Sequence, residues 1–185
     1  MRGPPVASGS VLPELPADDL LQISTARLDL IPLTAADADD LFPVLDDPTL
    51  GRFTGETPPA DVEAVRVGFA RWEARRSPDG AELWLNWVVR RREDARAIGL
   101  MQATVGDGDA AIAWTIGSAF QRQGFATEAG HALIAWLRET LGVQVIVGSI
   151  HPDNIASQTA AYRVGLRPTD RLHENELVWQ YVPSE

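Results

Sequence analysis

The chain has 185 residues, enough to bury the core of one domain. Its 26 acidic residues outnumber 16 basic ones, and the formal net charge of -10 disfavours a non-specific nucleic-acid binder, which needs a basic surface. There is no Cys and there are only three His, so disulfides, thiol nucleophiles and Cys-type zinc sites are excluded and no metal is expected.

Residues 1–21 are rich in Pro, Gly and acid and lack the apolar core of a signal peptide. They read as a flexible arm before a single domain over 22–185. No apolar run approaches ~18 residues, so no membrane span is expected and the cytoplasm is the expected location.

Residues 23–32 alternate well enough for a first strand, with Leu28 and Leu30 on one face. Thr34 is placed to cap a helix that Pro43 kinks or ends. Residues 46–55 are turn and loop. A second helix is expected over 60–76, where Val62, Val65, Phe69 and Trp72 form an apolar stripe. Three strands follow over 82–90, 97–105 and 110–116, joined by short turns as an antiparallel meander.

The polar stretch 120–129 then leads into a helix marked by Ala129, Leu133, Trp136 and Leu137, with Gly142 closing it. The run 143–150 is apolar on both faces, which suits a central strand. Asn154 is placed to cap a helix over 155–164 that Gly165 ends. A last strand is expected over 176–182, and the polar segment 168–175 reads as a hairpin turn. The total is six or seven strands and about four helices. The fold class is α+β, mostly antiparallel, with a strand-helix-strand crossover over 114–150.

The turn carries the chemistry. Gly124 and the small Ala126 let backbone come close to a ligand at a helix start. Free N–H groups and the positive end of the helix dipole suit a phosphate there. A P-loop is a poor match, because the turn lacks the Gly-Lys-Ser/Thr ending.

The residues Gln121-Arg122-Gln123-Gly124-Phe125-Ala126 resemble the Gln/Arg-x-x-Gly-x-Gly/Ala signature of the GNAT superfamily, the acyl-CoA-dependent N-acyltransferases. The continuation Thr127-Glu128-Ala129 is similar to the form common in its RimJ/RimL-like branch. A second match is Asn154-Ile155-Ala156-Ser157, followed by Gly165-Leu166. A third is the opening 23–32. Together they cover roughly residues 22–182.

The resemblance implies a GNAT-like fold and acetyl transfer from acetyl-CoA, with no metal, to a primary amine by direct attack in a ternary complex. The acceptor would be a protein N-terminal α-amine or a small molecule, and the enzyme a monomer or homodimer. Gln121, Arg122, Gln123, Gly124, Phe125, Ala126 and Thr127 would hold the CoA pyrophosphate. Trp114, Thr115 and Ile116 would flank the pantetheine arm, Asn154 would contact it, and Ser157 would lie near the sulfur. Many members place a Tyr where this chain has Ala161, with Tyr162 one residue later. That departure keeps a non-catalytic acyl-CoA-binding or regulatory module as the alternative.

The reaction needs a neutral amine and a stabilised oxyanion. His151 follows the strand at 143–150 and has a suitable pKa range for a base. Glu82 shares a strand face with Asn86 and is a second candidate to bind or deprotonate an amine. Glu128, in the first turn of its helix, is expected to steady that terminus or a neighbouring loop.

Overall fold

The computed structural model of the protein describes residues 12–17 and 20–183. Most of the expected arm over 1–21 therefore lies outside the described residues. Of the part described, Leu12 and Leu15 pack on the main core. The carbonyls of Leu20 and Leu21 accept hydrogen bonds from the indole N–H groups of Trp136 and Trp87, at 2.9 and 2.7 Å.

The strands are β1 (Ile23–Ser24), β2 (Leu28–Pro32), β3 (Leu83–Arg91), β4 (Ala97–Val105), β5 (Asp109–Ile116), β6 (Val145–Ile150), β7 (Leu166–His173) and β8 (Glu176–Tyr181). The helices are α1 (Ala38–Leu45), α2 (Val62–Glu73), α3 (Phe125–Thr140) and α4 (Ile155–Arg163). The strands form one sheet in the order β1-β2-β3-β4-β5-β6-β8-β7. The sheet is mixed, because β5 and β6 run parallel through the crossover helix α3 while every other pair is antiparallel.

The sheet thus has eight strands rather than six or seven. Residues 23–32 divide into β1 and β2 around a turn, and the stretch read as a hairpin turn is mostly β7. Strand β7 is an edge strand whose residues are largely exposed on both faces. It carries no apolar alternation for that reason, and its pairing with β8 is interrupted between Pro168 and Leu172.

Local chemistry sets the helix ends. Thr34 and Asp37 form a capping box around a short 3-10 turn, and α1 then continues through Pro43 to Leu45. Asp61 accepts a hydrogen bond from Ala64 N at 2.8 Å, so α2 starts at Val62. It ends at Glu73, short of Arg76, which bridges to Leu83. Gly142 and Gly165, with φ of 67° and 93°, follow the ends of α3 and α4.

The sheet separates two apolar layers. Trp87, Met101, Leu133, Leu137 and Leu166 belong to the core under α3 and α4. Val88, Leu100, Leu41, Val65 and Phe69 form the core under α1 and α2. Trp87 and Trp136 meet edge to face at 5.4 Å, which places both in the core. Among the described residues no helix is long and apolar enough to cross a membrane.

The parallel pair positions the site. Strands β5 and β6 pair only at Asp109↔Val145, Ala110↔Ile146 and Ala111↔Val147. Beyond Ala111 they separate, while β5 stays paired with β4 to Ile116. The sheet is split at its middle.

Candidate active site

The turn between β5 and α3 is built by two left-handed residues. Gly124 has φ of 83° and caps α3, and Arg122 has φ of 61°. Glycine meets the first requirement without strain. The Gln121 side-chain amide donates to the Ile116 carbonyl at 2.9 Å, which turns the chain out of β5. The first N–H groups of α3 have no intrahelical partner and face outward at this turn.

Arg27, at the start of β2, clasps the turn from behind. Its Nη1 donates to the Gln123 carbonyl at 3.1 Å and its Nε to Glu128 Oε2 at 2.6 Å. The Arg27 backbone N–H and the Thr25 hydroxyl donate to Glu128 Oε1 at 2.9 and 2.6 Å. The guanidinium also lies 4.6 Å over the Phe125 ring. Burial opposes ionisation of Glu128, but the bonds from Thr25 and Arg27 outweigh it and lower its pKa. Glu128 therefore ties the helix start to the β1–β2 loop.

The split in the sheet opens a cleft of about 610 Å³. A Cβ added at Gly148 would lie 3.2 Å from the Ile112 carbonyl oxygen, so that carbonyl faces β6. Strand alternation then puts the N–H and C=O of Trp114 on the same edge, towards the gap. The next such carbonyl, Ile116, is taken by Gln121. The backbone of Trp114 is left for a ligand.

Pairing also fixes the two sides of the cleft. Thr115 lies opposite Leu100 and so shares the α1/α2 face with Ala113 and Ala111. Ala111 lies opposite Val147, and Ser149 opposite Val178, so Ser149 and Glu176 share that face too. Trp114 packs on the core beneath α3 and α4. The cleft passes through the sheet and joins its two faces.

Of the residues expected at the cofactor, Trp114, Thr115, Ile116, Gln121, Arg122, Gly124, Phe125, Ala126, Thr127 and Asn154 line the cleft. Gln123 is not among the lining residues; its side-chain amide donates to the Ala119 carbonyl at 3.2 Å, within the turn. Asn154 Oδ1 accepts from Ser157 N at 3.1 Å, and both residues face the cleft at the start of α4.

The three catalytic candidates divide. Ser157 and His151 line the cleft, whereas Glu82 does not. Glu82 lies just before β3 rather than in it, and accepts the indole N–H of Trp84 at 2.9 Å. His151 Nδ1 accepts the Asp153 backbone N–H at 3.1 Å. In the neutral ring that bond puts the proton on Nε2. Ala161 is fully buried, and Tyr162 is 58% exposed beneath Arg167. Tyr162 is not a cleft residue.

Several residues of the cleft lie outside the sequence expectations, Glu176 and Ser149 among them. Glu176 begins β8 and, among the described residues, is the one carboxylate lining the cleft. Burial raises its pKa, and the nearby His151 and His173 only partly offset that. The Ser149 hydroxyl is buried in the cleft wall without a hydrogen-bond partner among the described residues. The loop residues Thr49, Leu50, Arg52, Phe53 and Thr54 complete the wall on the α1/α2 side. The only sequence signal for Glu176 was a carboxylate leading an apolar strand.

A parallel pair that parts beside a phosphate-type turn is the architecture of an acyltransferase acting on a thioester. A family model described as "Acetyltransferase (GNAT) domain" matches residues 27–167, and the chain belongs to that family of acetyl-CoA-dependent enzymes. A non-catalytic module is set aside on that ground. No curated protein matches the chain.

Similar solved structures support the fold. One, from Vibrio cholerae, is provisionally described as a ribosomal-protein-serine acetyltransferase; it is 23% identical, covers 88% of this chain and 97% of its own, and has a TM-score of 0.68. An acetyltransferase from Agrobacterium tumefaciens is 22% identical over 96% of this chain and all of its own, with a TM-score of 0.67. The microcin C7 self-immunity acetyltransferase MccE, solved with acetyl-CoA and AMP, is 15% identical over 86% and 94%, with a TM-score of 0.70.

Proposed function

We propose that the protein transfers acetyl from acetyl-CoA to a primary amine by direct attack in a ternary complex. The observation that carries this reading is the through-sheet cleft: the α3 turn lies at one side and the carboxylate of Glu176 at the other. The turn 121–127 holds the pyrophosphate, with Arg122 adding charge. Trp114 offers its unpaired backbone to the pantetheine arm, with Thr115 and Ile116 beside it, and Asn154 and Ser157 flank it from α4.

Acetyl-CoA supplies the thioester. Glu176 takes a proton from the acceptor ammonium, directly or through one water, and leaves a nucleophilic amine. Burial raises its pKa, which makes it a stronger base. The nitrogen attacks the carbonyl carbon, so a C–N bond forms and the C–S bond breaks. The Trp114 N–H donates to the developing oxyanion. The Ser157 hydroxyl hydrogen-bonds the leaving thiolate, which takes up, relayed through solvent, the second proton that the nitrogen sheds as the amide forms.

The branch resemblance, and the Vibrio cholerae neighbour, favour a protein or peptide α-amine slightly over a small amine. Purified protein, acetyl-CoA and a panel of peptide and small amines form the test, read by thiol release and by the mass of the acetylated product. Release with a matching acetylated amine is expected. Acetyl-CoA binding without release on any amine would sink the proposal.

A further inference from the structure

The charges of the cleft oppose those of the chain. The protein has a formal net charge of -10, yet among the described residues the side chains lining the cleft include Arg52, Arg122 and Arg163 and the single carboxylate Glu176. Among the described residues none of these three arginines forms an ion pair.

The three do not share a position. Arg122 sits in the turn before α3, and Arg163 ends α4, so both stand on the side where phosphates would lie. Arg52 comes from the loop between α1 and α2, on the other wall. Its guanidinium lies 5.2 Å over the Phe53 ring, and that ring is 5.7 Å from the ring of His151. His151 follows Ile150, whose partner in β8 is Leu177, so it comes level with Glu176. Arg52 and Glu176 are thus two ends of one wall. No ion pair joins them, so both charges are left for a ligand.

We infer that the acceptor is an amine that also carries an anionic group, a carboxylate or a phosphate. Glu176 receives the amine and Arg52 receives the anion. A guanidinium resting on an aromatic face keeps a planar fork of donors available for such a group. The inference rests on the acetyl-transfer reading above and narrows its substrate class.

Matched acceptors test it with acetyl-CoA at saturation: L-leucine against L-leucinamide, O-phosphoethanolamine against ethanolamine, and a Ser-Asp against a Ser-Asn peptide amide. The pair that responds identifies the source of the anion. In at least one pair the anionic member is expected to have a roughly ten- to hundredfold higher kcat/KM. Arg52→Gln should erase that preference by lowering the kcat/KM of the anionic member to that of its neutral partner. Arg122→Gln should instead raise the KM for acetyl-CoA equally with both members.

Equal kcat/KM within all three pairs overturns the inference, and the wild-type enzyme alone decides that. So does an Arg52→Gln enzyme that keeps the preference, or one whose acetyl-CoA KM rises instead. Transfer to other, neutral amines but to none of the anionic ones overturns the inference while acetyl transfer stands. No transfer to any amine removes the acetyl-transfer reading, and this inference with it.

Discussion

Glu176 holds a carboxylate half-buried at the first position of β8, and burial pushes its pKa up. A raised acid pKa has two consequences of opposite sign. In catalysis it makes a stronger base, so Glu176→Gln is expected to lower kcat about a hundredfold or more at neutral pH. The KM for acetyl-CoA should stay unchanged, because Glu176 stands away from the turn. In stability the sign reverses. The contribution of a raised acid is full below its ordinary pKa of 4.5 and is lost as pH rises through the folded value. Glu176→Gln should therefore melt higher than wild type at pH 8 and no higher at pH 4, measured by thermal unfolding. A variant that loses activity and stability together at pH 8 would point to a structural role instead.

Among the elements, the start of α3 depends on the β1–β2 loop more than on its own sequence. Thr25 and Arg27 make three hydrogen bonds to the Glu128 carboxylate, and Arg27 also holds the Gln123 carbonyl. Arg27 is half exposed at its side chain, so solvent screens part of the gain. Arg27→Ala should cost about 1–2 kcal/mol in urea unfolding and raise the KM for acetyl-CoA several-fold, about as loss of one charge-assisted bond would. Glu128 is the opposite case from Glu176. Its pKa is lowered, so its stabilisation is present above 4.5 and lost as pH falls through the folded value. The stability gap between wild type and Glu128→Gln should close on acidification.

The sequence showed this turn because Gly124 and the helical period after it are local features. The Asn154 cap and the Gly165 ending were legible on the same ground. Strand β7 was hidden, since an edge strand exposed on both faces has no reason to alternate. Glu176 was hidden because the cleft it lines is walled by residues distant in the chain, among them the 49–54 loop and the end of β6. Glu82 looked like a strand residue only because the β3 boundary was read one position early.

At the scale of the molecule, the sheet is two pieces joined at a short seam. Strands β1 to β5 form one antiparallel run, and β6, β8 and β7 form another. The seam is the three residue pairs from Asp109↔Val145 to Ala111↔Val147, bridged above by α3. Beyond it the edge of β5 from Ile112 and the edge of β6 from Gly148 lack each other as partners. A ligand lying in the gap takes the place of the missing pairing and ties the two pieces together. Saturating CoA, at about 100 times its Kd, should stabilise the fold by roughly 2.7 kcal/mol. For a chain of this size that corresponds to a rise in Tm of roughly 5–10 °C. The location of the gain distinguishes this account from uniform tightening. Hydrogen exchange should slow at the Trp114 amide, around Gly124 to Thr127 and along Gly148–Ile150. The amides of β3 and β4, already paired on both sides, should change little. Equal protection across all eight strands would mean that the seam is not where the sheet is weak.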